Sequence, residues 1–439
     1  MMRILRGFFN IRAGETYHVA LLAGLLFLLI AANNLIKILR DSIFLGHHSV
    51  SELPYLYILV ALLAGVIISK YTRYTAHLSL TRSILLTNAF IVLSTGFFWL
   101  ALTFFNPGWS HYAFYIWSAM AGAIAVAQVW TLANQIFTPE EGQRLFGIIT
   151  AGGTVGGAAA GFGAKWAVES SFETNHLLWF VAALFMVASL LVLCADRRLR
   201  VHFMENQIEP PRQTGGGGAG GIGEILSGSR YLKTIAAVIL VSVIVSTLID
   251  FQFKAAAKEA HPSKDALAAF FSSYYGWLSI ATFFTQFVLT GRALSQFGTR
   301  LILYFTPGVL LTGSVAIMIW PSLIGAALTR MADATLRNSI HRSNMEIAYM
   351  AVPPTTMKTI KTFLDVVIER VGDASAGFII LLYSLIWLDA NVRYVHFICL
   401  GLIVVWILLL PLLRMGYEKA AGGPRIAGSI VADDEPTRI

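Results

Sequence analysis

The chain has 439 residues, 56% of them hydrophobic and only 13% charged, with a formal net charge of +8. Soluble domains carry about 25% charged residues, so this composition excludes an ordinary soluble protein and leaves a polytopic membrane protein. Basic loops on one side of a bilayer produce such a positive balance, and no basic, aromatic-interleaved soluble stretch is present to bind nucleic acid.

Twelve apolar segments, each near the ~20 residues needed to cross hydrocarbon, follow one another along the chain. In the first half they are Val19 to Leu39, Pro54 to Ser69, Ser83 to Phe104, Tyr112 to Ile136, Leu145 to Val168 and His176 to Ala195. In the second half they are Tyr231 to Phe253, Leu267 to Thr290, Leu301 to Trp320, Leu323 to Ala351, Ala374 to Leu388 and Val395 to Leu410. Asn106-Pro107-Gly108 and Pro321-Ser322 read as tight helix-hairpin turns. Ile4, Leu5, Phe8, Phe9 and Ile11, interleaved with Arg3, Arg6 and Arg12, suggest a short helix on the membrane surface. The first span is too long for a signal peptide and ends in Lys37, Arg40 and Asp41 rather than at a cleavage site, so it stays as a membrane span.

Orientation follows from the loops. Arg3, Arg6, Arg12, Lys70, Arg73, Arg82, Arg197, Arg198 and Arg200 fall on one side, which makes both termini cytoplasmic, with a bacterial inner membrane as the expected location. Pro210-Pro211 and the glycines from Gly215 to Gly218 lie between the sixth and seventh spans and lack the Gly-Lys-Ser/Thr ending of a phosphate loop, so they read as a linker. The expected organisation is a bundle over 1–195, a linker over 196–230, a second bundle over 231–414 and a polar tail over 415–439.

The two halves resemble repeats. Lys37 and Asp41 in the first span correspond to Asp250 and Lys254 in the seventh, opposite charges one helical turn apart with the signs reversed. Two parallel six-helix repeats around a central linker predict an all-α, major-facilitator-like architecture of about twelve helices, acting as a monomeric carrier.

Charges inside spans are costly, about 2.5 to 3.5 kcal/mol each at a helix centre, and so mark function or demand partners. The tenth segment carries Arg330, Asp333, Arg337, His341, Arg342 and Glu346, and at 100° per residue Arg330, Asp333, Arg337, His341 and Asn344 fall on one stripe. A largely cationic face within an apolar protein points to a small anionic solute. Candidate substrate-binding residues are Lys37, Arg40, Asn134, Gln135, Asp250, Lys254, Arg330, Arg337 and His341. Asp41, Asp333, Glu346, Lys361, Asp365 and Arg370 are candidates for gating or coupling.

Plainer readings accompany these. Arg40, Asp41 and Lys254 could be surface pairs at the outer interface. Arg330 and Arg337 could form structural ion pairs with Asp333, and Gln128, Thr131 and Gln135 could serve interhelical packing. The fifth span's Gly152, Gly153, Gly156, Gly157, Gly161 and Gly163 form a small-residue face for close helix approach. Cys194 and Cys399 read as apolar packing residues, and no nucleophile constellation or metal cluster emerges, so neither an enzyme nor a cofactor is expected.

At these residues the chain resembles the ATP/ADP translocase (nucleotide transporter) family of plastids and intracellular bacteria. The resemblance is carried by Leu39-Arg40-Asp41, by Ala133-Asn134-Gln135 with Glu141 and Arg144, and by Leu248-Ile249-Asp250 with Lys254. It continues through Glu346-Ile347-Ala348-Tyr349, Lys361, Asp365-Val366-Val367, Arg370 and Gly372. It implies nucleotide exchange across a membrane by alternating access.

Three cationic positions of that family are missing. Ser42-Ile43-Phe44 follows the Arg-Asp pair without the lysine, Met345 stands where a lysine precedes the Glu motif, and Asp373 stands where one follows Arg-x-Gly. Alternatives are a proton-coupled carrier or flippase for another anionic metabolite or lipid headgroup, with Asp250, Asp333 or Glu346 taking the proton, and a membrane scaffold.

Overall fold

The computed structural model describes residues 12, 15–75, 77–170, 172–205, 229–286, 290–352, 357, 360–361, 363–386 and 395–420. The expected surface helix over residues 4–11, the glycines of the linker and most of the tail lie outside them.

The first six helices are α1 (Thr16–His47), α2 (Leu53–Thr75), α3 (Leu80–Leu100), α4 (Gly108–Ile136), α5 (Pro139–Glu169) and α6 (Leu177–Glu205). The second six are α7 (Arg230–Ala260), α8 (Lys264–Phe284), α9 (Thr290–Ile319), α10 (Leu323–Leu336), α11 (Glu369–Ile386) and α12 (Val395–Ala420). A π turn, Arg337–His341, carries α10 on into Arg342–Tyr349, and another, Leu364–Ile368, precedes α11.

Local chemistry sets the helix ends. Thr138 and Glu141 form a capping box with Pro139 in the first turn of α5; the Ser79, Ser263 and Ser322 hydroxyls accept backbone N–H groups at the starts of α3, α8 and α10. The α3–α4 turn falls where Asn106-Pro107-Gly108 predicts it, with Asn106 left-handed at φ 40°.

Among the described residues, ten helices are long and apolar enough by themselves to cross a bilayer. Neither α10, 14 residues long before its π turn, nor α11, which opens with Glu369, Arg370 and Asp373, is among them. Several helices extend beyond the predicted spans: α1 runs to His47 rather than Leu39, and α6 to Glu205 rather than Ala195. Trp166, Leu93 and Leu385 are each more than 70% exposed, as lipid-facing side chains are. Cys399 is buried, whereas Cys194 faces outward instead of packing inside.

In the first half α1 packs on α4, α5 and α6; in the second α7 packs on α10, α11 and α12. The halves meet where α8 lies on α1 and α5, and where α11 lies on α2. The expected glycine face, Gly163 excepted, works as close-approach surface on both sides of α5. A Cβ at Gly152 would lie 2.5 Å from the Ala23 carbonyl oxygen of α1, and one at Gly161 would lie 2.6 Å from the Gly276 Cα of α8.

Polar contacts joining the halves gather toward one end of the molecule, called here the His47 end. Among them Thr174 donates to Asp265 (2.5 Å), Lys264 to Asn175 (3.4 Å) and Asn34 to Ser279 (3.2 Å). Toward the opposite, Thr16 end, contacts such as Glu15 with Arg144 and Tyr231 with the Ala348 carbonyl stay within one half.

Candidate functional site

A chain of alternating charges crosses from α1 through α7 to α10. Arg40 donates to both oxygens of Asp41, 2.8 and 3.0 Å. Lys254 lies 3.2 Å from Asp41 and 2.8 Å from Asp250. Arg330 bridges Asp250 (3.0 Å) and Asp333 (2.6 Å), and Arg337 stands 4.0 Å from Asp333 while donating to the Ser242 carbonyl oxygen (2.7 Å). Asp41 and Lys254 are each 1% exposed and Asp333 is 2% exposed, so the surface-pair reading of Asp41 and Lys254 fails. Burial at this depth requires saturated hydrogen bonding, and tyrosines supply it. Tyr57 donates to Asp250 (3.1 Å), Tyr275 to Asp41 (3.2 Å), and Lys254 donates to the Tyr115 hydroxyl (3.2 Å). Ser246 donates to Asp333 (2.5 Å), and the Arg40 guanidinium lies 4.8 Å from the centre of the Tyr115 ring.

Lys37 stands apart from this saturation. Half-buried on α1, one turn before Asp41, its ammonium makes no hydrogen bond or ion pair with the described residues. The electrostatic neighbours of Lys37 are Arg40, Arg330, Asp41 and Asp250. Five cations therefore share this region with three carboxylates.

Other predicted residues lie elsewhere. Asn134 and Gln135 sit in the last turn of α4 at the Thr16 end, Asn134 exposed, and are not brought to the charge chain. His341 packs its ring edge against Trp406 of α12 (centroids 5.3 Å apart), and Asn344 donates to the Ile302 carbonyl oxygen of α9 (3.2 Å). The stripe from Arg330 to Asn344 holds through Arg337 and then breaks, because the π turn adds a residue and rotates everything after it. Gln128 donates to Thr87 (2.9 Å) and to Tyr71, which is the packing reading.

Glu346, Lys361 and Asp365 form a second group toward the Thr16 end. Lys361 reaches both Glu346 oxygens at 2.6 Å, and Tyr349 donates to Asp365 (2.9 Å). Arg370 pairs with Asp373 (3.2 Å), which also accepts from Thr247 (2.9 Å). The tyrosines were missed by sequence reasoning because Tyr is common in membrane helices; only their coincidence with one charge layer marks them.

Residues 55–320 match the model of the TLC ATP/ADP transporter. The chain belongs to the TLC ATP/ADP transporter family. ADP,ATP carrier protein 2 of Chlamydia pneumoniae is 21% identical over 361 residues, 71% of this chain and 67% of that relative. ADP,ATP carrier protein 1, chloroplastic, of Arabidopsis thaliana is 21% identical over 338 residues, 68% of this chain and 53% of the relative. The match thus spans about half to two thirds of these relatives' lengths. Among solved structures, the nucleoside transporter NupG gives a TM-score of 0.63 at 12% identity, covering 90% of this chain and 98% of its own. A bacterial homolog of the human lysosomal transporter Spinster, inward-facing and occupied, gives 0.53 at 15% identity, covering 94% and 97%. These likenesses give this TLC family member a major-facilitator-type fold, as the repeat pattern predicts.

Proposed function

We propose that this protein is an alternating-access membrane carrier that exchanges nucleotides of the ADP/ATP type, and that transport rather than catalysis is its activity. The observation that carries the reading is Lys37, an ammonium without a carboxylate partner beside a layer whose other cations are engaged. Burying it uncompensated is costly, and an anionic solute supplies the missing partner. Lys37, Arg40, Asp250, Lys254, Arg330 and Arg337 form the proposed site, with Asp41 and Asp333 as internal counter-ions that the phosphate oxygens displace. Membership of the TLC family and the names of its curated relatives support a nucleotide.

The chain of charges lies where the halves meet at the His47 end, so it also serves as the gate on that side, and the arrangement is the inward-facing one. Glu346, Lys361, Asp365 and Arg370 are assigned to the opposite gate. Two bundles, 1–195 and 231–414, rock about this site in a monomer of the bacterial inner membrane, with the Thr16 end and both termini cytoplasmic. An empty cationic site resists closure, whereas a loaded one closes, which makes exchange the favoured mode.

The test is uptake of labelled ADP into liposomes holding the purified protein, with and without internal ADP. Uptake that internal ADP stimulates several-fold supports exchange. Absence of both uptake and ADP binding by folded protein overturns the nucleotide.

A further inference from the structure

Glu369, at the start of α11, mirrors Lys37 in lacking a partner. It is half-buried, and its carboxylate makes no hydrogen bond or ion pair with the described residues. It directly follows the Leu364–Ile368 π turn, and Arg337, the cation that acts on it from another helix, opens the π turn after α10. Such turns loosen a helix at the point where a side chain must be re-aimed. One turn along α11 lies Asp373, an acid where the family resemblance places a lysine, so this face carries two carboxylates and Arg370 alone to balance them.

Arg337 does not release Glu369 from that imbalance. Its guanidinium donates to the Ser242 carbonyl oxygen and lies 4.0 Å from Asp333. The charged groups around Glu369 are Arg337 from the π turn that follows α10, Asp365 from the π turn that precedes α11, and Arg370 and Asp373 from α11 itself. From α7, Thr247 is bonded to Asp373 and Asp250 acts on Asp373 electrostatically; α2 carries Lys70 and Arg73 in its last two turns. An unpaired carboxylate in a spanning helix must be neutralised by a proton or a cation whenever the surrounding helices close and exclude water.

We infer that Glu369 is a proton-binding site that couples anion movement to a proton, a further activity resting on the proposed transport function. A proton taken from water on one side forms the O–H bond on the Glu369 carboxylate, crosses with the closing carrier and returns to water on the other side. Neutral Glu369 removes a negative charge that faces Arg337, so the protonated carrier binds an anion more tightly and, by reciprocity, the bound anion tightens the proton. Proton and anion therefore travel in the same direction. Asp250, Asp333 and Glu346 are the candidates the sequence offers for this proton; Asp250 and Asp333 are each held by two or more donors and Lys361 holds both oxygens of Glu346, so all three are poor choices for it.

The test uses full-length protein in liposomes without internal nucleotide, labelled ADP outside, and an imposed gradient, acidic outside. The wild type should accumulate ADP several-fold more with the gradient than without it, and a protonophore should abolish the difference. Glu369→Gln should keep exchange against internal ADP yet show equal uptake with and without the gradient, and Glu369→Asp should restore the response. A Glu369→Gln protein that responds like the wild type overturns the inference, as does a wild type that exchanges ADP but ignores the gradient.

Should no ADP move at all, the transport reading fails separately. Difference infrared titration of the solubilised protein then decides the proton site. A titrating carboxylic-acid band lost in monodisperse Glu369→Gln supports it, and a spectrum unchanged by the substitution overturns it.

Discussion

The Lys254 ammonium of α7 lies 3.2 Å from the Asp41 carboxylate of α1, so the first and seventh helices are joined by an ion pair across the molecule. The pair is almost fully enclosed and Asp41 also holds Arg40. Removing one partner of a buried pair costs about 3–5 kcal/mol, because it strands the remaining charge.

Asp41→Asn leaves Arg40 without its carboxylate and Lys254 with Asp250 alone, and should open the His47 end. Spin labels at Ser51 and Glu259, on opposite halves of that end, would report a longer distance distribution together with a lowered melting temperature. An unaltered distribution and unaltered stability would remove this pair from the gate.

Lys37→Gln removes the one cation of the layer that lacks a partner among the described residues, so it should leave folding nearly intact and weaken anion binding. A charge-assisted hydrogen bond is worth about 1.5–3 kcal/mol, which corresponds to roughly 10- to 150-fold in affinity. Lys37→Arg should retain most of the binding. Equal ADP affinity in wild type and Lys37→Gln, read by direct titration, would place the anion elsewhere.

Much of this was legible in the sequence because hydropathy and charge alone specify spanning helices and a cationic interior. The correspondence of Lys37 and Asp41 with Asp250 and Lys254 located the central layer before any geometry was known. What failed was phase: His341 and Asn344 share a 100° stripe with Arg330, but the Arg337–His341 π turn swings them toward α12 and α9. Asn134 and Gln135 failed for a different reason. Family likeness says nothing of depth, and both fall in the final turn of α4. Glu369 was passed over because a sequence displays charges but not the lack of a partner.

Gly161 tests whether close approach of α5 and α8 is needed for closure. A Cβ there would meet the Gly276 nitrogen at 2.5 Å and the Ser272 carbonyl oxygen at 2.8 Å, backbone atoms that cannot rotate away. Gly161→Ala should weaken the closed arrangement by about 1–3 kcal/mol, an overpacking cost, and lengthen the same label distance. Gly163→Ala, where a Cβ would meet nothing within 4 Å, should be neutral. Identical behaviour of the two variants would contradict the packing.

At the Thr16 end, Arg144 donates to both oxygens of Glu15, one at 2.9 Å, tying the start of α5 to that of α1. This hydrogen bonding holds the Glu15 carboxyl below the usual carboxylate range despite partial burial. A depressed folded-state value means the contribution is present above the unfolded carboxylate range and is lost as pH falls through the folded one. The protection factors of amides around Thr16, with the intrinsic pH dependence of exchange divided out, should therefore fall on acidification in the wild type, whereas Glu15→Gln should show low factors already at neutral pH that acid does not change. Equal, pH-independent protection factors in both would show that the pair holds nothing.

Arg330 is the residue whose shape, rather than charge, is required. Its planar guanidinium reaches Asp250 with Nε and Asp333 with a terminal nitrogen, 3.0 and 2.6 Å away. A lysine ammonium is a single point and holds one carboxylate at a time. Asp250 keeps Lys254 and Tyr57 in either case, while Asp333 keeps Ser246 and an Arg337 at 4.0 Å. Arg330→Lys should therefore lower stability by about 1–3 kcal/mol, the cost of a poorly satisfied buried charge, with Asp333 bearing most of the loss. Asp333→Asn should be destabilising alone but should cost much less when added to Arg330→Lys, the non-additivity expected of direct partners. Thermal unfolding of the two single variants and the double variant in detergent measures that coupling, and strictly additive shifts would show that the Arg330 bridge does not bind the two carboxylates as one unit.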